Sequence, residues 1–230
     1  MTAVFAHRGS TDGFTENTIE AFVEARRLGA DGVELDVRLT ADGALAIHHD
    51  PEIPGIGTID QLEVADLPAH VPLLADVLAV CEGMVVNVEI KNAPQDPGWD
   101  PGEAVAALTA ATIEEAGWRA RVIVSSFQTA TLRAVQAADG RLALGVLWGF
   151  AAEVEPALAA AVEAGFAAVH PFVASVDREL VERAHAMGLA VNVWTVNAPD
   201  DLRAMLDAGV DTVITDRLRE ALVVAGDGPG

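Results

Sequence analysis

The sequence has little cysteine and little positive charge. Cys81 is the only cysteine in 230 residues, so no intramolecular disulfide can form and a reducing compartment is permitted. It ends an apolar run, Val77-Leu78-Ala79-Val80-Cys81, where a small buried hydrophobe is the expected role. Lysine and arginine number 14 against 35 aspartates and glutamates, and Lys91 is the sole lysine. The formal net charge of -21 argues against nucleic acid or an anionic membrane as a partner. The same field would repel a phosphate group, so any phosphoester site needs a bound cation and a few placed bases to invert the local sign. No apolar stretch reaches the roughly 20 residues that span a bilayer. Met1-Thr2-Ala3-Val4-Phe5 runs straight into a charged motif, without the basic and apolar regions of a secretory leader. A soluble, cytoplasmic protein with no stable membrane association is the expectation.

No linker, repeat or charge run divides the chain, and 51% hydrophobic residues suffice for one core, so residues 1–230 are expected to form a single domain. Short β-branched runs alternate with alanine-rich amphipathic segments. Strands are predicted over 3–6, 32–39, 84–91, 122–127, 141–148, 167–171, 190–196 and 211–215. Helices are predicted over 17–28, 73–81, 102–116, 129–138, 151–164, 177–187, 199–208 and 218–225. Gly29, Gly117, Gly165, Gly188 and Gly209 follow helical segments as stop signals. Eight such units imply parallel pairing with right-handed crossovers. The glycine-rich first loop of a doubly wound sheet is missing, which leaves an α/β fold with a single (β/α)8 TIM barrel. Residues 51–72 are the least regular stretch and read as a lid or substrate-selecting loop; the tail 226–230 is expected to fray.

Working residues of such a barrel sit at the C-terminal ends of its strands. Polar residues there are His7 and Arg8, Glu34 and Asp36, Glu89 and Lys91, Ser125 and Ser126, His170, Trp194 and Asn197, and Asp216. Glu34 and Asp36 are two apart on one strand and so share a face, where two carboxylates repel. A hard divalent cation with oxygen ligands, Mg2+ or Ca2+, relieves that repulsion, and Glu89 on the neighbouring strand can supply a third carboxylate. After the second strand, Asp42-Gly43 reads as a two-residue hairpin loop. That register sets Asp36 opposite His49, which puts His49 on the metal's face and turns His48 away. His7 closes the first strand and can face the same centre. Two imidazoles flanking a phosphodiester suit general acid and base work, since they titrate near neutral pH. Arg8 offers a planar fork to phosphate oxygens, or equally a salt bridge to Glu16 or Asp36. Lys91 reads as a phosphate contact.

At these residues the sequence resembles the glycerophosphodiester phosphodiesterase family. The matching pieces are Ala6-His7-Arg8-Gly9, Glu16-Asn17-Thr18, Val33-Glu34-Leu35-Asp36-Val37, Thr40-Ala41-Asp42-Gly43, His49-Asp50, Val88-Glu89-Ile90-Lys91, Ser125-Ser126-Phe127, Val193-Trp194-Thr195-Val196-Asn197 and Val213-Ile214-Thr215-Asp216. The resemblance implies hydrolysis of a glycerol 3-phosphate ester of an alcohol, a small-molecule substrate, by a barrel carrying one divalent cation. It maps metal ligands onto Glu34, Asp36 and Glu89, acid/base histidines onto His7 and His49, and phosphate contacts onto Arg8 and Lys91. Trp194 takes the place of a family tryptophan that packs on the glycerol or alcohol, or else is plain core. Glu16 and Asn17 read as helix-capping residues in preference to orienting ones. Where many relatives carry an Arg-Thr-Thr-like stretch, this chain reads Glu52-Ile53-Pro54-Gly55-Ile56-Gly57, and 51–72 has no room for the helical insertion of some members. The alternatives are a lysophospholipase D-like or cyclising phosphodiesterase, and a phospho-ligand binding protein without turnover. The alcohol, the nucleophile (water or the neighbouring glycerol hydroxyl), the division of labour between the histidines and the oligomeric state are left open.

Overall fold

The computed structural model describes residues 1–149 and 154–226. The first residues of the fifth predicted helix, 151–153, and the tail 227–230 lie outside them. Eight parallel strands alternate with helices. They are β1 (Ala3–His7), β2 (Gly32–Leu39), β3 (Val85–Ile90), β4 (Val122–Ser126), β5 (Ala143–Trp148), β6 (Ala168–Pro171), β7 (Ala190–Val193) and β8 (Thr212–Thr215). The helices are α1 (Ile19–Leu28), α2 (Leu74–Val80), α3 (Ala104–Glu115), α4 (Thr129–Ala138), α5 (Val154–Ala164), α6 (Arg178–Ala186), α7 (Pro199–Ala208) and α8 (Leu218–Gly226). Each strand pairs with the next, and β1 pairs with both β2 and β8, which closes the (β/α)8 barrel expected from the sequence.

Period-two alternation sorts β2 into two faces. Val33, Leu35 and Val37 point outward into one continuous apolar layer with Phe22 of α1 and Leu78 of α2. Enclosing such a side chain fully is worth roughly 1.5–3 kcal/mol over leaving it in water. Glu34 and Asp36 point the other way, toward the barrel axis. Cys81 lies in the same apolar layer, and burial pushes its thiol up to about 12, so it is the inert hydrophobe expected.

Helix α1 opens on Thr18, whose side chain accepts from the Ala21 amide, and closes on Gly29 in the left-handed conformation. The expectation that Asn17 caps this helix is therefore corrected. Asn17 lies one residue too early, and its side chain is engaged elsewhere.

A second correction concerns the hairpin after β2. A return arm, Leu45–Ile47, pairs antiparallel with β2 in the register Val37 to Ile47, Arg38 to Ala46 and Leu39 to Leu45. This is one residue away from the register predicted by a two-residue loop. Thr40 and not Ala41 closes the turn. Its hydroxyl accepts from the Ala44 amide at 2.8 Å and donates to Asp42 Oδ1 at 2.6 Å, while the Gly43 amide donates to the Thr40 carbonyl. With Gly43 at φ 84°, this is a three-residue loop whose last position is left-handed. His48, not His49, therefore meets Asp36 across the ladder, its amide donating to the Asp36 carbonyl at 3.0 Å. The arm ends at Ile47, so alternation no longer dictates where His49 points.

Residues 51–72 are ordered by short devices. Glu52–Ile53 pairs with Gly57–Thr58, two single-turn helices follow, and Ile53, Ile59 and Val71 gather with Ala46 in a small apolar cluster.

Candidate active site

Barrel register assembles the acidic centre. His7 of β1 is the Cα partner of Glu34, and Asp36 is that of Glu89 on β3. One ligand oxygen from each of Glu34, Asp36 and Glu89 lies within 4.8 Å of the others, and all three residues are buried. Lys91 lies over them, its Nζ 3.1 Å from Asp36 Oδ1 and in contact with Glu89 Oε1. Arg8 holds both acids it was expected to choose between: Nε is 3.1 Å from Asp36 Oδ2 and Nη1 is 2.9 Å from Glu16 Oε1. Asn17 Nδ2 donates to Asp36 Oδ2 at 2.8 Å, so it orients a carboxylate where a cap was expected. Arg8 and Asn17 adopt φ 55° and 56°, a conformation few non-glycine residues take, and the Asn17 amide donates to the Arg8 carbonyl.

The charges are unevenly shared. Burial, with the charge of Asp36 beside it, pushes Glu34 up to about 8. Burial opposes ionisation of Asp36 too, but Lys91 and Arg8 outweigh it and hold that carboxyl well below the usual range. Glu89 is raised, chiefly by burial. Lys91 is partly buried, which works against its charge, yet Glu89 and Asp36 hold it above the ordinary lysine value. Glu34 Oε1 is enclosed without any hydrogen-bond partner, and a buried carboxylate oxygen left bare costs free energy. Three carboxylates, with no thiolate, form a donor set that fits a hard divalent cation.

The two histidines differ in support. His7 Nδ1 lies 2.6 Å from Asp216 Oδ1, and its Nε2 lies 3.8 Å from Glu34 Oε2. Burial lowers the affinity of His7 for a proton, but the bond to Asp216 and the charge of Glu34 override it and raise the value above an ordinary histidine. His49 is half-exposed, with Nδ1 2.8 Å from Asp50 Oδ1. Its carbonyl accepts from Arg38 Nε at 2.8 Å. His49, Glu89, Lys91 and Phe127 line a cavity of about 500 Å³.

The remaining expectations divide. Trp194 donates Nε1–H to the His170 carbonyl and meets Phe127 and Phe172 edge-on, with centroids at 5.6 and 5.3 Å, so it is at least a packing residue. Ser126 Oγ donates to the Ile90 carbonyl. His170 is wholly enclosed beside Asn192, and burial pushes it down to about 3, so it is a neutral core residue. A Cβ on Gly145 would overlap its ring, which explains the glycine on β5. Arg38, two residues beyond Asp36 and so on the same inward face, joins the site by donating to the His49 carbonyl and pairing with Asp96.

At the C-terminal mouth of the closed barrel three carboxylates gather beside His7, and comparison with known proteins places the chain among the hydrolases of phosphoric diesters. The chain belongs to the glycerophosphoryl diester phosphodiesterase family, whose pattern it matches over residues 7–220. It is 36% identical over 236 residues to a glycerophosphodiester phosphodiesterase of Caldanaerobacter subterraneus subsp. tengcongensis, covering 94% of both chains. A second relative of that name, from Bacillus altitudinis, is 32% identical over 241 residues, covering 94% of this chain and 95% of its own. Among solved structures, an Oleispira antarctica phosphodiesterase in complex with the product sn-glycerol-3-phosphate shares the fold. It superposes with a TM-score of 0.88 at 22% identity, covering 99% of this chain and 98% of its own. Among the described residues, no helix is long and apolar enough to cross a membrane.

Proposed function

We propose that this chain hydrolyses glycerophosphodiesters to glycerol 3-phosphate and an alcohol, working as one cytoplasmic domain over residues 1–230. The observation that carries the reading is the convergence of Glu34, Asp36 and Glu89 beside His7. These three would hold one divalent cation, Mg2+ or Ca2+. When bound, the cation supplies electrostatic stabilisation to the charge that builds on the phosphate oxygens. Arg8 and Lys91 are the bases at the same place, and they give the dianion-like transition state N–H donors in a chain otherwise hostile to anions. With Nδ1 of His7 committed to Asp216, only Nε2 is free to exchange a proton with substrate. One of His7 and His49 takes the proton of the attacking oxygen, from water or the neighbouring glycerol hydroxyl, as the new P–O bond forms. The other gives a proton to the alcohol oxygen as its bond to phosphorus breaks. Trp194, with Phe127, offers an aromatic surface to the glycerol or alcohol portion.

The test is release of glycerol 3-phosphate from glycerophosphocholine with and without a chelator, followed by addition of Mg2+ or Ca2+. Release that persists in chelator rejects the metal-dependent reading; no release under any condition rejects the substrate class.

One observation favours a second reading, a phosphodiester with an acyl chain. Phe14, Ile56, Trp99 and Phe127 are 40–47% exposed, and all lie in loops that follow β1 to β4 at the mouth. A kcat/KM for lysophosphatidylcholine above that for glycerophosphocholine would favour it.

A further inference from the structure

Asp216 lies one residue beyond β8, beside His7 at the end of β1. The closing register pairs Ala6 with Thr215, so the next residue on each strand projects toward the same part of the mouth. The carboxylate of Asp216 is used on both oxygens. Oδ1 takes His7 Nδ1 at 2.6 Å, and Oδ2 accepts from Asn197 Nδ2, also at 2.6 Å. Asn197 returns the contact, since its Oδ1 accepts from the Asp216 amide at 2.9 Å and from Thr215 Oγ1 at 3.2 Å. Thr11 Oγ1 donates to the Asp216 carbonyl at 3.3 Å, tying the loop after β1 to the same residue. The strand ends of β7, β8 and β1 thus meet in one chain of hydrogen bonds, Asn197 to Asp216 to His7.

We propose that Asp216, clamped by Asn197, is the positioning residue of His7, fixing its tautomer and aiming Nε2 at the acidic centre. The inference rests on the proposed catalytic use of His7. An ionised carboxylate only accepts, so the proton of a neutral His7 ring must sit on Nδ1. Nε2 then carries the lone pair, and the same bond sets the ring plane that leaves Nε2 3.8 Å from Glu34 Oε2. A carboxylate that orients an imidazole in this way acts through the imidazole, and its removal costs turnover rather than binding. His49 has no comparable support, because its partner Asp50 is adjacent in sequence and its side chain is 71% exposed.

The test compares Asp216→Ala, the isosteric Asp216→Asn, His7→Ala and the double variant His7→Ala/Asp216→Ala on glycerophosphocholine, with ring 15N spectra of His7 in the full chain. Removing a partner that orients a reactive imidazole should lower kcat by roughly tenfold or more with KM little changed. Adding the Asp216 substitution to His7→Ala should cost nothing further. The wild-type spectrum should show one tautomer protonated at Nδ1, and the Asp216 variants a mixture. Wild-type kcat in the Asp216 variants while His7→Ala is inactive overturns the inference. An undiminished loss in the His7→Ala background overturns it too, by showing a role that does not pass through His7. If Asp216→Ala fails to fold, Asp216→Asn decides the matter. If His7→Ala keeps full activity, the catalytic reading of His7 fails, and the spectra alone then confirm or reject the tautomer lock.

Discussion

Lys91 is shared by Asp36 and Glu89, two carboxylates that face each other as Cα partners across β2 and β3. The lone lysine of the chain therefore stands against the buried carboxylate trio. Removing one member of a buried pair leaves an uncompensated charge, at a cost of about 3–5 kcal/mol. Lys91→Met should therefore destabilise the cation-free protein to urea, and Mg2+ or Ca2+ should recover part of the loss. Unchanged stability without cation would show that Lys91 is not what offsets the repulsion.

A cation that binds the folded state alone should stabilise it. At a hundred times its Kd the gain is about 2.7 kcal/mol, and for a chain of this size each kcal/mol shifts Tm by roughly 2–4 °C. Wild type should therefore melt several degrees higher with the preferred cation. Glu34→Gln should lose most of that increment. A Tm indifferent to Mg2+ and Ca2+ would count against Glu34, Asp36 and Glu89 as ligands.

The two imidazoles should be separately indispensable. His7→Ala and His49→Ala are each expected to lower kcat at least about a hundredfold. Near-normal turnover in either variant removes that residue from proton transfer.

Asn17 separates a backbone role from a side-chain role. Its φ of 56° suits glycine, so Asn17→Gly keeps the turn while deleting the donor to Asp36. Loss of a group that orients a metal ligand typically weakens metal affinity by roughly 10–100-fold. Calorimetric titration of Asn17→Gly should show that drop. Wild-type affinity would make Asn17 a turn residue only.

His170 predicts an acid limit. Its folded value of about 3 lies below the ordinary histidine value of 6.5. Between those two pH values the unfolded chain binds a proton that the folded chain refuses, so stability falls as pH falls through that window and is fully present above it. One such proton contributes a slope of about 1.4 kcal/mol per pH unit. In His170→Gln, urea unfolding followed from pH 7 to 4 should show a shallower decline. An equal slope would place the acid sensitivity elsewhere.

The barrel and its acidic trio were legible because both depend on periodicity. Glu34, Asp36 and Glu89 lie on strands where every second residue faces inward, and adjacent parallel strands keep a regular stagger. The expected place of His49 opposite Asp36 rests on a register that is one residue off. The turn chemistry of Thr40, whose hydroxyl widens the loop, overrode the Asp42-Gly43 signal. The contact between Asp216 and His7 was not legible, although both residues were noted at strand ends. It depends on side-chain directions beyond the last ladder pair, and no spacing rule spans a separation of 209 residues. Asn17 was misjudged because Thr18, next to it, is an equally good cap by composition.

Closure of the barrel by β1 and β8 carries a consequence for synthesis. His7 leaves the ribosome well before Asn197 and Asp216, since 209 residues separate it from the latter along the chain. A nascent or truncated chain that ends before the final strand would carry every expected metal ligand and both histidines, yet His7 would lack its anchor. Full turnover would then begin only when the first and last strands of the barrel have met.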